Sequence, residues 1–160
     1  MKNVIFLVTI TLLLCVATNA AAQPAATNPS AGVPNAMAAV VFGDYFEIQR
    51  ALAGDTLANV AVNASAIAGM VRQDTSGKFQ PELAAVADAL ASAQDLTTAR
   101  QIFKAVSGYF IQTYRAGNGP GGTIHEVHSP TFNVNWLQRE DVVQNPYLGK
   151  PCLYCGTFVS

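Results

Sequence analysis

From Met37 onward, apolar residues recur every three or four positions. Val41, Tyr45, Ile48 and Leu52 define a first helical stripe, and Ala53-Gly54 ends it. Asp55 can cap a second helix, in which Leu57, Val60, Ala61, Ala64, Ala68 and Val71 share one face. Thr75-Ser76-Gly77 breaks that run. Pro81 suits the first turn of a third helix, with Leu83, Val86 and Leu90 inward. Asp95 can cap a fourth, where Ala99, Ile102, Phe103, Val106 and Phe110 line up as far as about Arg115. Short turns between four amphipathic segments predict an antiparallel, up-and-down four-helix bundle.

The periodicity changes beyond the glycine-rich stretch 117–122. Residues 123–136 are rich in β-branched and aromatic side chains, interrupted at Ser129-Pro130, and predict two short extended segments. Gln144-Asn145-Pro146-Tyr147-Leu148-Gly149 is turn chemistry: Gly149 can take a positive φ while Tyr147 packs inward. Residues 153–159 predict a last short strand. The expected fold is therefore mainly α, a four-helix bundle carrying a small β-rich C-terminal cap anchored by Trp136.

Composition and charge narrow the setting. Lys2 precedes an apolar run, 4–16, and Ala20-Ala21-Ala22 offers small residues before Gln23. This pattern predicts a cleavable signal peptide over 1–22 and a periplasmic or secreted protein. Leu14 before Cys15 does not suit a lipoprotein signal. Residues 23–35, mostly Ala, Pro, Asn, Ser and Gly without charge, predict a flexible linker, leaving 36–160 as one domain. No second apolar run reaches the roughly 20 residues of a membrane span. Without the leader, eight Lys plus Arg stand against ten Asp plus Glu. That balance gives no reason to expect nucleic acid as a partner.

The candidate chemistry lies in the tail. Both histidines of the chain, His125 and His128, are there, and so are the two cysteines outside the leader, Cys152 and Cys155. Two thiols three positions apart can clamp one soft ion, and imidazoles can complete its shell. Zn(II) accepts Cys2His2 as a tetrahedron, and Cu(I) favours thiolate. The competing reading is a Cys152–Cys155 disulfide, natural in an oxidising compartment. A thioredoxin-like redox motif needs a helix after the cysteines, and Cys155-Gly156 near the chain end has none. Enzyme signals are thin. Glu140-Asp141 reads as a solvated turn, Ser129 beside His128 has no orienting acid, and the stretch 117–123 lacks the lysine of a phosphate loop.

Trp136-Leu137, Asn145-Pro146-Tyr147, Gly149 and Cys155-Gly156 together resemble the tail of a family of small extracytoplasmic domains of unknown function. Members of that family also form the C-terminal domain of periplasmic adaptor subunits in copper and silver efflux pumps. Residues 95–107 resemble the family's last helix, and the likeness covers about 36–159. It implies a non-enzymatic accessory that binds or hands on Cu(I) or Ag(I), with a metal-efflux adaptor or another periplasmic protein as partner; His125, His128, Cys152 and Cys155 are the ligands this chain itself offers. Two departures stand out. His128-Ser129-Pro130-Thr131 occupies the place of the family's His-Cys-Pro-Met, and Cys152 occupies the place of a methionine.

Overall fold

The computed structural model describes residues 33–160. The expected signal peptide and the first ten residues of the expected linker lie outside that range. Helix α1 spans Val33–Ala53, so the last three residues assigned to the linker are helical, with Pro34 in the first turn where its missing N–H costs nothing. Helices α2 (Val60–Gln73), α3 (Glu82–Ala91) and α4 (Leu96–Thr113) follow. A single π turn, Tyr114–Asn118, ends the helical part, with Gly117 at φ 79°. Strands β1 (His125–Ser129), β2 (Val134–Gln138) and β3 (Thr157–Phe158) form an antiparallel sheet in the order β2-β1-β3. Val127 lies opposite Trp136 on one side of β1 and opposite Phe158 on the other. Among the described residues, no helix is long and apolar enough to cross a membrane.

Local chemistry explains most helix boundaries. The Asp95 carboxylate accepts hydrogen bonds from Thr98 N (2.8 Å) and Thr98 Oγ1 (2.7 Å), which fixes the start of α4. Pro81, at φ −58°, leads into α3. Asp55 does not cap α2. It takes φ 58° in the turn after α1, and its carboxylate reaches Arg100 and the amide of Lys150 instead. Helix α2 begins five residues later, after Asn59 at φ 62°. Its buried face is Val60, Ala64, Ile67, Ala68 and Val71, while Ala61 is exposed.

The helices do not assemble into the expected bundle with a cap at one end; the fold is α plus β around one shared core. Two properties of the core produce this. Where α2 meets α3, the buried residues include Ala64, Ala68, Ala84 and Ala87, and small side chains let the backbones approach closely. Where α1 meets α4, the contact is made by Phe42, Tyr45, Phe103 and Phe110, with the Tyr45 ring stacked on Phe110 at 4.3 Å and on Phe103 at 5.3 Å. These large rings hold the two backbones apart, and α4 packs more extensively on β2 than on α1. Val127, Trp136 and Leu137 of the hairpin are fully buried in the same cluster as the helical aromatics. The Leu137 N–H donates to Tyr45 Oη at 3.0 Å, and the same hydroxyl shares a hydrogen bond with Ser107 Oγ, also at 3.0 Å. A strand that satisfies its backbone on a helix side chain is a layer of the core, not an appendage.

Candidate functional site

The tail folds on three polar nodes. The first is Gln138, wholly buried at the end of β2. Its Oε1 accepts from Trp136 Nε1 (3.1 Å) and Gln144 N (3.0 Å), and its Nε2 donates to the carbonyls of Glu140 (2.7 Å) and Val142 (2.9 Å). One amide thus closes the whole loop 139–143. The second is Asn145, also wholly buried. Its Oδ1 accepts from Tyr147 N (2.8 Å) and Leu148 N (3.1 Å), and its Nδ2 donates to Cys155 O at 2.5 Å. Its own amide donates to Leu153 O at 2.7 Å. The third is Arg100 of α4, which donates to Pro146 O (2.9 Å) and Leu52 O (2.7 Å) and pairs with Asp55. Gly149, at φ 61°, lies against this pair; a Cβ there would collide with both the Asp55 carboxylate and the guanidinium. The Asn-Pro-Tyr-x-Gly signature is therefore a plug that docks the tail on the end of α1 and the start of α4.

Electrostatics follow from these contacts. The hydrogen bond from Arg100 holds the Asp55 carboxyl below the usual range, with the Lys150 amide adding to it. Burial pushes the Tyr147 phenol well above its ordinary value, and its hydroxyl donates to Asn135 O at 3.2 Å. Burial raises Tyr45 in the same way.

The four predicted metal ligands are not brought to one point. His125 and His128 are three apart on β1, and a strand alternates, so they face opposite sides of the sheet. His125 Nε2 lies 3.0 Å from Asp141 Oδ1, with its ring 5.0 Å from that of Phe158. His128 Nδ1 lies 2.7 Å from Asn135 Oδ1. Asn135 in turn donates to Glu126 (2.5 Å), whose carboxylate is clasped by Arg115 through Nε and Nη2. Cys152 and Cys155 are joined to each other in a disulfide. Among the described residues, no three His, Cys, Asp or Glu side chains stand close enough to hold a metal ion. Ser129, in the place of the resembled family's cysteine, is fully buried with no partner for its hydroxyl.

The nodes Gln138 and Arg100 carry no sequence signal of their own; a polar residue in an amphipathic segment reads as exposed. Asn145 was legible as a turn residue, since Asn before Pro favours a side-chain-closed turn. No protein-family profile matches the chain, and neither a curated protein nor a solved structure matches it.

Proposed function

We propose that the chain is a non-enzymatic, extracytoplasmic structural or interaction domain whose tail is fixed by the Cys152–Cys155 disulfide. The disulfide is the observation that carries this reading. Disulfides form and persist in oxidising compartments, in keeping with the signal-like leader. The cross-link closes the turn that Asn145 holds from the other side through Cys155 O. With both sulfurs engaged and the imidazoles on opposite faces, the tail reads as a rigid presented surface and not as a coordination sphere. The family likeness makes an efflux adaptor or a similar periplasmic protein the partner to try first.

Thiol titration of unfolded, non-reduced protein purified from an oxidising compartment tests this. The expected result is no free thiol at Cys152 or Cys155, with or without prior addition of Cu(I) or Zn(II). Two titratable thiols that either metal protects in the folded protein would overturn the reading in favour of a soft-metal site.

A further inference from the structure

We propose that a cleft beside the first two turns of α4 binds a small organic carboxylate carrying a flat ring. Thr97, Arg100, Gln101 and Lys104 recur at i, i+3, i+4 and i+7, so they form one continuous stripe along the helix. Phe132 and Tyr147 line the cleft with them, and its volume is about 250 Å³. That is just below the usual range for ligand pockets and matches a ligand of benzoate size better than a nucleotide.

Charge and shape both point to this class. Arg100 is already matched by Asp55, whereas Lys104 makes no ion pair among the described residues. The lining contains no acidic side chain, so the cleft keeps the positive charge of Lys104. The ammonium group lies 4.5 Å from the centroid of the Phe132 ring. Phe132 is the one large aromatic at the tip of the β1–β2 hairpin, and it is 41% exposed. A phenyl group left in water contributes little to folding. It meets Tyr147, buried at the cleft, edge-on at 6.4 Å. A ligand ring laid on Phe132 would remove that surface from water while its carboxylate reached Lys104 and the amide of Gln101. Acetate lacks the ring and a neutral benzyl alcohol lacks the charge, so each should use only half of the site.

Amide chemical-shift titrations of the disulfide-bonded protein with benzoate, acetate, benzyl alcohol and inorganic phosphate test this. Benzoate should give saturable shifts confined to the residues around 97–104, 132 and 147, and the other three probes should bind about tenfold more weakly. Lys104→Gln and Phe132→Ala should each weaken benzoate about fivefold without lowering the melting temperature. The idea is overturned if benzoate gives no saturable shift, if phosphate or acetate binds as well as benzoate, or if both folded variants bind benzoate like the parent. Should Phe132→Ala lower the melting temperature, Phe132→Leu, which keeps an apolar side chain but no ring, gives the same comparison.

Discussion

Asn145 shows how one side chain can hold a segment that has little regular structure. Around it the backbone runs through 144–156 with a single 3-10 turn, Lys150–Cys152, and a polar backbone buried without a ladder must find its partners elsewhere. The carboxamide supplies three of them, at Tyr147 N, Leu148 N and Cys155 O. Asn145→Ala removes all three at once and leaves the buried Tyr147 amide without an acceptor. Leaving buried polar groups unpaired costs about 1–3 kcal/mol each, so the substitution should destabilise the protein by about 3 kcal/mol. Urea denaturation measures this directly; a loss no larger than that of a surface substitution such as Gln101→Ala would show that the node is not structural. Arg100 acts in the same manner on the neighbouring carbonyls of Leu52 and Pro146, and its planar fork is what allows two acceptors and a carboxylate to be served together.

At the scale of elements, the helices were legible because their chemistry is local. Asp95 capping and the 3.6-residue stripes of α1, α3 and α4 depend on neighbours within a turn or two. What failed was non-local. Asp55 has the right identity for a cap, yet its carboxylate is drawn to Arg100, 45 positions away, and to the Lys150 amide. The bundle expectation failed for a related reason: helical spacing tells which face is apolar, but not whether a ring or a methyl group fills the interface. Aromatic α1–α4 packing therefore admitted strand β2 into the core; the extended segment was legible, but its place against α4 was not. The expected metal site likewise needed His125 and His128 to share a side of a strand that separates them. The cysteine spacing, by contrast, was informative in itself. A bond across so short a loop constrains the unfolded chain only modestly, about 2 kcal/mol in the chain-entropy account. The Cys152→Ala/Cys155→Ala double variant should thus lose about 2 kcal/mol while keeping its helices, since α1–α4 make no covalent use of it. Far-ultraviolet circular dichroism together with urea denaturation checks both halves, and collapse of the helical signal would mean that the tail and helices fold only as one unit with the bond intact.

For the molecule as a whole, carboxylates tie the parts together, and this makes its stability depend on acid. Asp55 joins the α1–α2 turn to α4 and the tail, and the Arg100 hydrogen bond lowers its pKa. Asp95 caps α4, and the Thr98 backbone and hydroxyl lower it as well. At Asp74, desolvation works upward but is outweighed by hydrogen bonds from the Ser76 side chain and from the amides of Phe79 and Ser76. Each group binds its proton less readily folded than unfolded. Their contribution is therefore complete above the ordinary carboxylate value of about 3.9 and is lost as pH falls through the lower folded values. Asp44, raised by desolvation and by Glu47, has the opposite sign, since its ionisation works against the folded state as pH rises. Three linkages against one predict that the urea midpoint falls as pH drops below about 4. Asp55→Asn should start lower at pH 7, because the ion pair is gone, and should then decline less steeply. An acid slope equal to that of the parent would show that the Asp55–Arg100 link does not couple the tail to the helices, and that acid acts on the helix caps alone.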